Sequence, residues 1–518
     1  MSRDALIADL LALLPRDRVL TDPAELFVYE SDGFTVARAR PAAVVFPATT
    51  AEVSAVVKVL ARHGAQIVPR GSGTGLTGGC VAYDLGVIVS TVHLTRILRI
   101  DLANRVAQVQ AGVRNTALTD AVALLPLPGT DSDLLPPTTS PARDPVDASA
   151  GAQSKLKNPK SKIPPNPYHF APDPSSQRAS TIGGNAATNA GGIHTLKDFV
   201  SSNHVLGVEM VLPDGEIVEL GAANGSCESP PFDLPGLICG SEGTFGIITA
   251  LWVRLVPRAV AFRTIVVTFT ATADACNAVS DIIAEGHLPA AMEMLDGAMV
   301  QTIEDAFHFG FSRAAQALVL IEIDGIDDLL DAQAADVLAI CNRYHPLTTE
   351  QSADPARRAA LWKVRKSAFG AIGRISQSYC TQDACVPRSM LAQVLAEIDR
   401  IGKEHGLSIP NVFHAGDGNV HPIFLYDDRD DAQVQNTLRA AERILKYCID
   451  LGGTLTGEHG VGVEKIHLMP YLFDRPTMAQ FDRVKKAFDP DERVNAGKLI
   501  PSDKVKVCLL KPGRHAPQ

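Results

Sequence analysis

The sequence predicts an α+β fold in two unlike halves: a glycine-rich first domain, then a cap domain with a mainly antiparallel sheet covered by helices. Three observations predict it. At 518 residues the chain exceeds what one hydrophobic core serves. Up to Arg258, short apolar runs alternate with glycine-rich loops. Beyond Arg258 that character stops, and strand-like runs at 262–269 and 318–323 alternate with helical patterns at 273–285 and 353–375. The expected boundaries are an N-terminal helical segment (1–37), the first domain (38–258), the second domain (259–502) and a tail (503–518).

Taken in order, residues 1–14 mix Asp4 and Asp9 into a short apolar run, which reads as an amphipathic helix and not a signal peptide. Residues 43–46 are a strand, and Thr49 followed by Glu52 resembles a capping box. Val53, Val56, Val57 and Leu60 share a helical face that Gly64 closes. The strand 66–68 enters the loop Pro69-Arg70-Gly71-Ser72-Gly73-Thr74-Gly75-Leu76-Thr77-Gly78-Gly79, and 87–90 is the next strand. Residues 126–167 hold 10 of the 34 prolines and little periodic apolar pattern, so they are expected to form an insertion or long loop. Further glycine-rich stretches follow at 180–192 and 240–246, the latter leading into a strand at 247–255.

Composition narrows the function. The balance of 48 Lys+Arg against 58 Asp+Glu gives a net charge of −10, which offers no footprint for nucleic acid or anionic lipid. No stretch approaches the roughly 18 apolar residues of a membrane span. Nine scattered cysteines argue for a reducing compartment, and a cytoplasmic protein is expected. Cys380 and Cys385 lack the spacing of an iron–sulfur ligand run, so any cluster belongs on a partner chain.

Two constellations carry chemistry. Five glycines between Gly71 and Gly79 allow successive backbone N–H groups to turn toward one anion. Gly73-x-Gly75-x-x-Gly78 matches a dinucleotide fingerprint, but a strand instead of a helix follows it, so the Rossmann reading fails. The second lies around Asp417-Gly418, a favoured dipeptide for a two-residue hairpin turn. Counting outward pairs His414 with His421, with Cβ atoms roughly 5 Å apart. With Glu458 they make a two-His, one-carboxylate set that suits zinc or a similar divalent ion.

These stretches, in this order, resemble the vanillyl-alcohol-oxidase-type (PCMH-type) FAD-binding family over about residues 25–500, the proline-rich insertion excepted. Its flavin contacts match Pro69, Arg70, Gly71, Ser72, Gly73, Thr74 and Gly75 in the first loop. They continue through Pro172, Asp173, Ser175, Ser176, Thr181, Gly184, Asn185, Asn189, Gly191, Glu242, Ile247 and Asn495. With the segments 413–421 and 457–460, the chain is similar to the glycolate oxidase flavin subunit and to D-lactate and D-2-hydroxyglutarate dehydrogenases.

The resemblance implies oxidation of a small 2-hydroxy acid, with a hydride passing to the flavin N5. It implies metal ligands at His414, His421 and Glu458, a base at His459 and a carboxylate-binding Arg365. Members that bind flavin covalently carry a His where Thr74 stands, so FAD is expected to be non-covalent. Hydroxyglutarate enzymes carry a Lys where Thr381 stands, which favours glycolate or D-lactate. Electrons are expected to leave for a partner subunit with an iron–sulfur cluster, a quinone or a cytochrome, with the chain peripheral to the membrane through such a partner. D-2-hydroxyglutarate oxidation, a scaffold subunit and a zinc-dependent nicotinamide dehydrogenase are the competing readings.

Overall fold

The computed structural model describes residues 2–82, 86–125, 166–221 and 232–502. The expected insertion (126–167, apart from Asn166 and Pro167) and the tail (503–518) lie outside the described residues.

In the first half, the helix Arg3–Leu13 buries Leu6 and Leu10 in the same core as Val53, Val56 and Leu60 of the helix Thr50–Arg62. Thr49 caps the second helix by accepting the Glu52 N–H at 3.1 Å. The Glu52 carboxylate takes the Ala48 N–H (2.7 Å), one residue earlier than a capping box requires, because it also pairs with Arg18. A four-stranded sheet sets Ala43–Val45 and Ile67–Arg70 parallel on either side of Val87–Ser90. A five-stranded antiparallel sheet follows, in the order Ile97–Asp101, Val106–Gln110, Ile247–Arg254, Val205–Val211, Ile217–Gly221.

The second half is organised by a seven-stranded sheet. Its order is Thr348–Ser352, Ala261–Phe269, Ala317–Gly325, Ala291–Asp296, Val412–His414, Asn419–Val420, Ala384–Cys385, every pairing antiparallel. Alternate residues of its strands feed two cores. Ile265, Val267, Met292 and Met294 pack with Val279, Val394 and Ile444 from helices on one face. Val266, Ala291 and Leu295 pack with Val300, Trp362 and Ile372 from helices on the other. Burial on both faces explains why these strands read as continuous apolar runs. The helical pattern at 353–375 resolves into two helices, Pro355–Lys366 and Ala368–Ile375, broken at Ser367.

The chain then returns to the first half. Ile67 forms a parallel bridge with Val494, its N–H bonding Arg493 O (2.8 Å) and its carbonyl accepting the Asn495 N–H (2.9 Å). Asn495 Nδ2 and Lys498 Nζ then reach the Gly79 carbonyl at 3.1 and 3.0 Å.

Candidate active site

A cavity of about 640 Å³ is bounded by the first glycine loop, residues 174–190, residues 242–248, and Arg365, Thr381, His421, Glu458 and His459. The glycine loop leaves the strand Ile67–Arg70 and meets no helix among the described residues, so the Rossmann reading fails in three dimensions as well. Gly73 takes φ +75°, and a Cβ there would lie 2.2 Å from the Arg70 guanidinium. Among the described residues, the backbone N–H groups from Gly71 to Leu76 make no hydrogen bond, and they sit on the cavity wall. Unpartnered N–H groups in a concave wall are what a pyrophosphate requires, so the loop fits such a group. Thr181 faces it across the gap, and a Cβ on Gly71 would lie 2.8 Å from Thr181 Oγ1.

The structure places Pro69, Arg70, Gly71, Ser72, Gly73, Thr74, Gly75, Ser175, Ser176, Thr181, Gly184, Asn185, Glu242 and Ile247 along this wall. Pro172, Asp173, Asn189 and Asn495 do not line the cavity, and Gly191 lies beside Glu458, where a Cβ would stand 3.1 Å from Glu458 Oε2. The Pro172 carbonyl accepts from Asn115 Nδ2 (2.8 Å), and Asp173 contacts His194 Nδ1 (2.7 Å). The Asn189 side chain accepts the Ser202 N–H (2.8 Å), and Asn495 Nδ2 donates to the Glu242 carbonyl (2.8 Å). The Glu242 carboxylate turns the other way and accepts the N–H groups of Val461 and Gly462 at 2.6 and 2.7 Å. That grip fixes the far side of the loop bearing Glu458 and His459.

The hairpin differs from the sequence expectation. His414 pairs with Asn419 and not with His421, leaving a four-residue turn in which Asp417 Oδ1 accepts the Asn419 N–H (3.0 Å). The side-chain bond of Asp417 and the φ of +81° at Gly418 explain the longer turn. A two-residue shift preserves the face, so the imidazoles of His414 and His421 still meet, with ring centroids 5.1 Å apart. His414 Nε2 lies 3.1 Å and His421 Nε2 3.4 Å from Glu458 Oε1. The three offer ligand atoms within 4.8 Å of one another, a donor set that fits a divalent ion. His459 stacks on His421 at 4.8 Å and 4°, its Nε2 4.0 Å from Glu458 Oε1. Burial pushes the His459 imidazole down to about 4, so it is neutral at physiological pH. Arg365 is buried, its Nε on Glu293 Oε2 at 2.5 Å, and it lines the same cavity.

Sequence reasoning missed the charged groups that hold this arrangement. Glu293 and Asp383 are fully buried. Asp383 gathers the N–H groups of Gly457 (2.9 Å), Glu458 (3.3 Å) and His459 (3.1 Å), together with Lys465 Nζ (3.3 Å), which is itself fully buried. Burial works against its charge, but Lys465, His459 and His421 hold the carboxyl well below its usual range. Behind the cavity, Glu322 accepts from Trp362 Nε1 (2.5 Å) and Arg358 Nε (2.6 Å), and lies 3.6 Å from His194 Nε2. The available signal was a single acidic residue inside an apolar strand, Glu293 between Met292 and Met294 and Glu322 between Ile321 and Ile323.

Residues 259–499 match the family model described as FAD linked oxidases, C-terminal domain, and residues 41–133 and 159–221 match one described as FAD binding domain. The chain is 36% identical to the glycolate oxidase subunit GlcD of Escherichia coli (strain K12) over 509 residues, covering 97% of this chain and 92% of that protein. It is 30% identical to the D-lactate dehydrogenase of Archaeoglobus fulgidus, covering 88% of this chain and 91% of that one. The solved structure of p-cresol methylhydroxylase with substrate bound shares the fold at a TM-score of 0.74 and 14% identity, covering 97% and 98% of the two chains.

Proposed function

Because this chain belongs to the FAD-linked oxidase family and carries its FAD-binding domain, we propose that it oxidises a small 2-hydroxy acid, glycolate or D-lactate, to the 2-oxo acid. The observation that carries the reading is the convergence of His421, Glu458, His459 and Arg365 on the cavity that the glycine cradle also lines, with His414 grouped beside His421 and Glu458.

Residues 69–75, with Ser175, Ser176, Thr181, Gly184 and Asn185, would hold FAD, without a covalent link because Thr74 offers no imidazole. Bound there, FAD supplies a two-electron acceptor at its N5. His414, His421 and Glu458 would hold a divalent ion, zinc by the chemistry of the donor set, which lowers the pKa of a hydroxyl it polarises. Arg365 is anchored through Nε, and its terminal nitrogens make no other hydrogen bond among the described residues. They are therefore free to take the substrate carboxylate as a bidentate pair. His459, neutral and partly buried, accepts the hydroxyl proton at Nε2 as the α-hydrogen leaves with its electron pair. Thr381 on the wall offers no second cation, which disfavours a dicarboxylate substrate. Electrons then pass to a non-nicotinamide acceptor. The GlcD relative is a glycolate oxidase subunit, which supports a partner chain in that role.

Stopped-flow reduction of the bound flavin by glycolate and by D- and L-lactate tests the reading. His459→Ala should keep metal and FAD but slow reduction by about 10²–10⁴-fold. His421→Ala should lose metal as well as rate while FAD stays bound. Unchanged reduction in His459→Ala, or no reduction of the wild-type flavin by any 2-hydroxy acid, overturns the proposal.

A further inference from the structure

One carboxylate touches both halves of the proposed site. Glu293 lies on the strand Ala291–Asp296 and is fully buried. Its Oε1 is 2.5 Å from His414 Nδ1, and its Oε2 is 2.5 Å from Arg365 Nε. The strand register puts Glu293 directly opposite His414, and the helix Pro355–Lys366 crosses the same face to deliver Arg365. Both oxygens are therefore committed. Arg365 itself is 5% exposed, so Glu293 is also the group that compensates its charge.

We infer that Glu293 is a positioning residue that couples the metal ligand His414 to the carboxylate-binding Arg365, so that one side chain sets both metal affinity and substrate-anion affinity. The inference rests on the proposed roles of those two residues.

The coupling follows from donor and acceptor counting. A carboxylate only accepts, so Glu293 holds a proton on His414 Nδ1, and the nitrogen left to ligate an ion beside Glu458 is Nε2, which gives up its own proton when an ion takes its place. The same acceptor character on Oε2 fixes the Arg365 fork by its Nε–H and turns the two terminal nitrogens toward the cavity. No neutral isostere meets both demands. A glutamine that offers its carbonyl to Arg365 offers its NH₂ to His414 Nδ1, which selects the tautomer with the proton on Nε2. Rotated, the same amide faces the Arg365 N–H with a second donor.

The test uses the full-length, FAD-loaded protein, with zinc ion and oxalate as probes. Zinc affinity is read by competition with a chelator. Oxalate affinity is read from the flavin absorbance of metal-free protein, so that the anion reports on Arg365 and not on the ion. In Glu293→Gln, zinc affinity should fall about 10–100-fold, as for other changes behind a metal-binding histidine. Metal-free oxalate affinity should fall at least tenfold, and FAD content should stay at the wild-type value. A residue that serves only the histidine would leave oxalate binding unchanged, and one that serves only the arginine would leave zinc binding unchanged. Either split overturns the coupling. If Glu293→Gln does not retain FAD, Glu293→Asp keeps the charge but is one methylene too short to span both partners. It should weaken at least one probe tenfold, and wild-type affinity for both overturns the inference. Wild-type protein that binds no zinc removes the metal-site reading itself, an outcome visible before any variant is made.

Discussion

Replacing Asp383 by Asn removes a single charge from the hub beneath the Glu458–His459 loop, and its cost follows from the geometry. Asp383 Oδ2 takes the N–H groups of Gly457 and His459, the Thr456 hydroxyl and the ammonium of Lys465, while the Glu458 N–H lies 3.3 Å from both oxygens. An amide oriented to keep the first set turns its NH₂ toward the Glu458 N–H. Lys465, which has no exposed surface, keeps its bonds to the Asp383 and Gly460 carbonyls but loses the opposite charge that compensates its ammonium. Removing one partner of a buried ion pair costs about 3–5 kcal/mol. Equilibrium denaturation, followed by release of flavin fluorescence, should therefore show Asp383→Asn less stable by about that amount. Lys465→Met in the same background removes the uncompensated ammonium and should recover most of the loss, so the two changes are strongly non-additive. The loop carries the proposed metal ligand Glu458 and the proposed base His459, and displacing catalytic groups by about 1 Å costs roughly 10²-fold in rate. Flavin reduction in Asp383→Asn should fall accordingly. A single-variant loss below about 1 kcal/mol, or simple additivity in the double variant, would refute the hub.

Three further outcomes are expected. Gly73→Val places a β-branched residue at φ +75° against the Arg70 guanidinium, so the protein should purify colourless, and full flavin content in its absorbance spectrum would remove the loop from the cradle. Acid precipitation of the wild type should leave all flavin in the supernatant. His194 sets a pH dependence. Burial opposes its charge, but Asp173 and Glu322 outweigh burial and raise it to about 10 from an ordinary 6.5. Its contribution is complete below pH 6.5 and lost as pH rises through about 10, so melting temperature should decline across that window. His194→Gln should flatten the decline, and an unchanged slope would assign it to other groups.

Local features of the fold were legible in the sequence because local physics sets them. The helix Thr50–Arg62 announced itself by its cap, its apolar face and the closing Gly64. The glycine loop was readable as an anion cradle, and the missing helix after it excluded a Rossmann unit. His414, His421, Glu458 and His459 come together as their pattern suggested, although the pairing register did not follow from the Asp417-Gly418 dipeptide. A side-chain bond from Asp417 and a contact between Gly418 O and the Val386 N–H decide that turn, and the second is a tertiary contact. The buried charges were illegible for the same reason. Glu293 reaches His414 across 121 positions, and Asp383 reaches Lys465 across 82, so neither partner could be chosen from the sequence alone. The resemblance marked Arg365 as a carboxylate-binding cation, but its anchor Glu293, 72 positions away, was not legible.

The return of the chain at Val494 bears on how this protein is made. The strand that launches the glycine loop has its outer edge at Ile67 bridged by residues emerging more than 400 positions later, and Gly79 waits for Asn495 and Lys498. During synthesis the first half is finished long before those residues leave the ribosome. Until they arrive, the Ile67 N–H and carbonyl lack their Arg493 and Asn495 partners. The segment around Val494 thus serves as a clasp, and closure of the cradle becomes a late event that awaits synthesis of the second half. A ribosome stalled within the second half would carry a nascent chain whose cradle is still open.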